Sequence, residues 1–66
     1  MEAYKERMVN EYWELMERSS KLGSAIVQKS QDELNCPVEL LKAQYSAMET
    51  YRNILRVRAE IEGIEL

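Results

Sequence analysis

Large apolar side chains recur along this chain at intervals of three and four, and they do so in two lines. In the N-terminal half one line runs Met8, Tyr12, Leu15, Leu22 and Ile26, and a second, one residue on, runs Val9, Trp13, Met16 and Val27. In the C-terminal half Val38, Leu41, Tyr45, Met48, Leu55 and Ala59 make one line, and Leu40, Ala47, Tyr51, Ile54 and Ile61 the other. Spacings of three and four keep side chains on one face of an α-helix, whose period is 3.6 residues. The pattern predicts one helix over about 2–29, a connection over about 30–36 and a second helix over about 37–62.

The break between the lines reads Ser30-Gln31-Asp32-Glu33-Leu34-Asn35-Cys36-Pro37. Ser30 followed by Glu33 has the spacing of a capping box, which predicts a single helical turn there. Pro37 suits the first position of a new helix, where its missing N–H costs nothing. Glu39 then favours the positive end of the helix dipole. Gly63 follows the last turn of the second helix and is the expected C-cap. At 1.5 Å per residue each helix is roughly 40 Å long, and two such rods joined by about seven residues must return antiparallel. The fold class expected is all-α: a single domain, an antiparallel two-helix hairpin.

The width of the apolar face enlarges this picture. One neighbouring helix cannot cover both lines, so more than one partner surface is implied. Size argues the same way. A chain of 66 residues buries too little surface to hold together comfortably, and such chains recruit disulfides, a metal or further subunits. Cys36 is the only cysteine and histidine is absent, so the chain has neither an internal disulfide nor the four N/S ligands of a structural zinc site. Association with further copies is the remaining route, and a homo-oligomer is expected.

The same inventory narrows the function. Without histidine the usual general acid or base near neutral pH is missing, and Cys36 has no evident group to make it a thiolate. An enzyme is therefore not expected, and neither is a cofactor or a metal. The net charge of −3 gives a field that does not draw in DNA or RNA polymers. No segment approaches the roughly 20 apolar residues of a membrane span. Acidic Glu2 and the mixed charges after it do not read as a signal peptide. The expectation is a reducing intracellular compartment with Cys36 as a free thiol.

The informative positions are those that interrupt the apolar lines. Ser19, Ser20, Gly23, Ser24 and Ala25 break both lines of the first helix together. A mid-helix Gly23 costs about 1 kcal/mol relative to Ala, and two readings would offset it. Either small side chains let a neighbouring helix cross closely, which is the commoner case, or a hollow beside the helix admits a ligand, with serine hydroxyls and Lys21 on its wall. In the second helix Gln44, Arg52 and Arg58 fall on or beside the lines. A buried cation must be paired or it is strongly unfavourable. Intrahelical pairs Arg52–Glu49, Arg58–Glu62 and Arg56–Glu60 would satisfy exposed arginines. An arginine turned toward a subunit interface is instead a bidentate phosphate ligand. Near the N-terminus Tyr4 stands beside Lys5 and Arg7, a ring with two cations, as in proteins that stack on a base while neutralising a phosphate. Tyr12 and Trp13 read as core or interface anchors, and the four methionines as gap-fillers.

In order, the chain reads Arg7-x-x-x-Glu11-x-x-x-Leu15-x-x-Arg18-x-x-Lys21-Leu22, then Ala25-Ile26, a loop, and Leu40-Leu41-x-x-Gln44-x-x-Ala47-Met48-x-x-Tyr51-x-x-x-Leu55-x-x-Arg58. This order resembles the small phage anti-CBASS proteins that act as sponges for cyclic oligonucleotides, over nearly the whole chain. The resemblance implies a compact, interlocked helical hexamer acting in the cytoplasm of the infected bacterial host. It implies cyclic dinucleotides such as cyclic GMP-AMP held between neighbouring subunits, with cyclic trinucleotides in a separate pocket, and sequestration without cleavage. Carried onto this chain it makes Lys21 the leading phosphate ligand with Ser24 nearby. Tyr4, Lys5 and Arg7 become stacking and phosphate candidates from the adjoining subunit. Arg58, Arg52 and Gln44 are left open between a second pocket and the interface. Relatives often carry an aromatic residue where Ala25 stands, and several have a longer N-terminal lead, so this chain departs from the pattern beside both groups. The rival reading is an oligomeric helical interaction module, an adaptor, inhibitor or virion component, gripping another protein through an exposed stripe.

Overall fold

A computed structural model describes residues 2–66. Helix α1 covers Ala3–Gln28, a single 3₁₀ turn follows at Gln31–Glu33, and helix α2 covers Val38–Glu62. Among the described residues there is no strand. The helices lie side by side and run in opposite directions. Tyr4 at the start of α1 donates a hydrogen bond to Glu62 Oε1 at the end of α2 (2.9 Å). Met16 meets Arg52 in the middle of each helix, and Gly23 meets Tyr45 nearer the connection. The result is a rod of 45 × 15 × 15 Å.

Local chemistry sets each boundary. Glu2 begins α1 with an extended backbone and offers its carbonyl to the N–H groups of Lys5 and Glu6 (3.0 and 3.1 Å). In the 3₁₀ turn the Glu33 carboxylate reaches back to the Ser30 N–H (3.1 Å) and hydroxyl (3.2 Å), the expected capping box. Those hydrogen bonds hold the Glu33 pKa below the usual carboxylate range, the backbone N–H first among them. Pro37 departs from expectation by one position. It sits before α2 as the N-cap, with φ −57° and ψ 135°, and its carbonyl accepts the Leu40 N–H (3.0 Å). The cause is Gln31. Its Oε1 accepts the Val38 N–H (2.8 Å) while its Nε2 donates to the Cys36 carbonyl (3.0 Å). One side chain thus caps α2 from outside and braces the connection.

The far end of α2 is closed by a Schellman motif. Gly63 adopts the left-handed conformation (φ 69°), the Ile64 N–H returns to the Ala59 carbonyl (2.8 Å) and the Gly63 N–H to the Glu60 carbonyl (3.4 Å). Ile64 and Ala59 are buried in the same cluster, the hydrophobic contact this motif brings with it.

Only one apolar line of each helix finds cover. Met8, Tyr12 and Leu15 pack against Leu55, Ala59 and Ile64, with Val9, Met16 and Met48 at the edge. Ser19 continues the buried α1 line, because its hydroxyl donates to the Met16 carbonyl of its own helix (3.2 Å). This core occupies the half of the rod that holds the chain termini. Toward the connection Leu22, Ala25, Ile26, Val38 and Leu41 are only half-buried. Of the second lines only Val9 and Met16 reach the edge of this core, and the rest face outward: Val27 is 84% exposed, Ile61 79%, Leu40 61% and Trp13 49%. Trp13 touches its neighbour Tyr12 edge-on, the ring centroids 5.2 Å apart.

Tyrosines tie the helices across the seam. The hydrogen bond to Glu62 raises the Tyr4 pKa above its ordinary 10.0. The Glu11 carboxylate does the same to Tyr51, again first through its hydrogen bond. A native state that holds a phenolic proton more tightly than the unfolded chain gains stability that is complete below the unfolded pKa. That stability is lost as pH rises through the native value. Replacing both Tyr4 and Tyr51 with Phe should therefore flatten the fall in melting temperature above about pH 10; an unchanged slope would show that these contacts do not stabilise the pair. Leu55, at 1% exposure, should lose about 2–5 kcal/mol on conversion to Ala. Gly63→Ala should lose about 1–2 kcal/mol through its backbone conformation. Urea unfolding of each variant measures both, and a neutral Gly63→Ala would contradict the role given to the left-handed cap.

Candidate ligand-binding surfaces

The candidate residues separate into three places on the rod. Tyr4, Lys5 and Arg7 lie in the first two turns of α1, beside the closing turn of α2. Tyr4 is anchored through its hydroxyl to Glu62, leaving part of its ring exposed. Lys5 is half-buried at the rim of a hollow shared with Gly63 and Ile64. Arg7 is exposed. Neither Lys5 nor Arg7 has a carboxylate within ion-pair distance among the described residues, although Glu2 and Glu65 line the same hollow as Lys5.

Lys21 and Ser24 lie toward the other end. Lys21 is exposed and donates to Glu17 Oε1 (2.9 Å), which draws the Glu17 pKa down. An ion pair this exposed is weak and exchanges readily for a better anion. Ser24 lies on the wall of an open groove of about 500 Å³ that runs between α1 and α2. Ser20 and Gly23 line it from α1, Lys42 and Tyr45 from α2. Lys21 is not on that wall; it stands one position round the helix, on the solvent face. The small residues of α1 therefore do two things at once. Gly23 lets an aromatic ring approach the helix backbone, since a Cβ there would lie 3.0 Å from Tyr45 Cε2. The flanking serines leave a hollow beside that ring.

The third group is on α2. Arg52 lies on the covered line, its side chain 21% exposed. It pairs with Glu49, which raises its pKa further. It also donates to the Met16 sulfur (3.3 Å), while its Nε is buried without a partner. Within one chain this guanidinium is committed to the helix seam. Arg58 is different. It is exposed, 3.7 Å from Glu62, and shares a shallow hollow with Ile54 and Val57. At 100° per residue Leu40, Gln44, Ala47, Tyr51, Ile54, Arg58 and Ile61 fall within one narrow face, so Gln44 and Arg58 are the polar members of the uncovered apolar line.

No single copy can bring these groups together. Tyr4 and Lys21 are seventeen residues apart on one helix, about 25 Å along its axis. A ligand meeting both ends must lie between two chains. Lys42 and Tyr45 escaped sequence reading as site residues, because Tyr45 falls on the covered apolar line. The signal was Gly23, which an antiparallel register places opposite Tyr45. Among the described residues no cluster of acidic and thiol side chains has the make-up of a metal site, and no helix is long and apolar enough to cross a membrane.

A family model described as Sequestin matches residues 2–61. No curated protein and no solved structure matches the chain significantly. The matched span takes in α1, the connection and all but the last residue of α2, and with them every candidate residue above. The chain belongs to the Sequestin family.

Proposed function

We propose that this protein sequesters cyclic oligonucleotide second messengers, cyclic dinucleotides such as cyclic GMP-AMP and also cyclic trinucleotides, in clefts between the subunits of a homo-oligomer, a hexamer. It holds them without cleavage and so antagonises CBASS-type signalling in the cytoplasm of an infected bacterium. The family name, with its meaning of sequestration, supports a binding role. The observation that carries the reading is the division of the candidate ligands. One end of the rod presents a part-exposed ring with Lys5 and Arg7, neither in an ion pair among the described residues, the other presents Lys21 and Ser24, and uncovered apolar lines run between them. Antiparallel packing of copies through those lines would place one end of a chain against the far end of its neighbour. A cyclic dinucleotide offers two bases to stack and two phosphates to neutralise, and such a composite cleft supplies both kinds of contact.

A sponge needs affinity and abundance, not turnover. Nanomolar binding corresponds to about −12 kcal/mol, a figure within reach of base stacking combined with charge-assisted contacts to two phosphates. Val27, Leu40 and Ile61 on the surface also favour a second reading, an interaction module that grips another protein through an apolar stripe.

Addition of cyclic di- or trinucleotides should raise the melting temperature by mass action, and chromatography of the released ligand should return it intact. Lys21→Glu should weaken cyclic dinucleotide capture at least tenfold while leaving the oligomer in place, a loss of about 1.4 kcal/mol or more. No thermal shift with any of these ligands would reject sequestration of this class and leave the interaction module.

A further inference from the structure

We infer that Tyr45 and Lys42, on α2, form a nucleotide subsite with Ser20, Gly23 and Ser24 of α1, in which the Tyr45 ring stacks on a base and Lys42 meets a phosphate. The inference rests on the sequestration proposed above and adds residues to its site.

Tyr45 makes no hydrogen bond among the described residues, and no carboxylate or guanidinium is set against it as one is against the other three tyrosines. Tyr4 is tied to Glu62, Tyr51 to Glu11, and Tyr12 is buried beside Arg52. Tyr45 is also held in a defined pose. The Cε2 edge of its ring lies against α1 at Gly23, where a Cβ would push it back by a few tenths of an ångström, while the residue remains 36% exposed and lines the groove. A ring braced at one edge by a helix and partly exposed to a groove is positioned to stack, and stacking tolerates any base. A mid-helix glycine is unfavourable in itself, and this pose accounts for its presence.

The rest of the groove fits the rest of a nucleotide. Its volume of about 500 Å³ falls within the range of small-molecule sites. The Ser20 and Ser24 hydroxyls stand along one wall as donors and acceptors for a sugar. Lys42, one turn before Tyr45 on the same face of α2, supplies the charge. Its pairing with Glu39 is loose, 3.8 Å with both side chains largely exposed, so a phosphate displaces it at little cost. Ser24 joins this groove to the face that carries Lys21, so base and phosphate contacts can extend from one residue set to the other.

The test is a titration of the full chain with cyclic GMP-AMP, comparing wild type with Tyr45→Leu, Tyr45→Phe, Lys42→Gln and Lys21→Glu by calorimetry, with proton NMR of the ligand. The wild type should move the base protons upfield through the ring current of Tyr45. Tyr45→Leu should remove that shift and weaken binding about tenfold or more, Tyr45→Phe should keep both, and Lys42→Gln, on an exposed side chain that no core contact needs, should weaken binding about tenfold. If the wild type and the Lys21→Glu variant behave as sequestration requires while Lys42→Gln binds like wild type and the upfield shift survives in Tyr45→Leu, the subsite is wrong and the sponge stands. If the wild type binds no cyclic di- or trinucleotide, both fall together.

Discussion

Each helix of this protein carries more apolar surface than its one neighbour can cover. Two lines of large side chains run along each rod, and contact between α1 and α2 hides only one of each pair. What is hidden is concentrated at one end, around Met8, Tyr12, Leu15, Leu55, Ala59 and Ile64. The half nearest the connection holds Leu22, Ile26, Val38 and Leu41 in partial contact only. Burial of apolar surface stabilises a fold by about 25 cal/mol per Å² removed from water, so every uncovered line is stabilisation not yet realised. The tyrosine–carboxylate ties, the Gln31 clamp and the Schellman cap fix the geometry of the pair, but none of them supplies the missing apolar contact.

The same shortage organises the candidate site. Polar groups placed within an uncovered apolar line, as Gln44 and Arg58 are, become interfacial when that line meets another chain. There a cation is either paired or waiting for an anionic ligand. Arg52, in contrast, has already spent its charge on Glu49 and its stem on the seam. The N-terminal cluster and the Lys21–Ser24 face are separated by most of the length of α1, so under the proposed sequestration association and ligand capture would be coupled. A messenger bridging two chains would tighten their packing, and the packing would in turn pre-arrange the donors for the messenger.

Much of this architecture was legible in the sequence. The period of three and four placed two helices, Ser30 with Glu33 announced the turn between them, and Gly63 announced the end of α2. What period cannot say is which of two equivalent lines faces the neighbour. Trp13 and Met8 lie on lines of equal quality, and only the register joining Tyr4 to Glu62 puts Met8 inside. Ser19 interrupts the apolar period, yet it is buried, because its hydroxyl is satisfied by its own helix. Pro37 stands one position earlier than expected, and the start of α2 is capped by Gln31, seven residues from the N–H it captures, a contact that leaves no periodic trace. In the site, the residue types were legible and their spatial grouping was not. Tyr45 looked like core until the glycine opposite it showed why the ring stands half out of the seam.

The most direct measurement is sedimentation equilibrium of the purified chain over a wide concentration range, followed in parallel by circular dichroism. If the uncovered lines are closed by other copies, the species in solution is a discrete multiple of the 7.8 kDa chain, and helicity falls as dilution separates the subunits. A fully helical, cooperatively folded species of 7.8 kDa that survives at nanomolar concentration would contradict the account, and with it every cleft placed between chains.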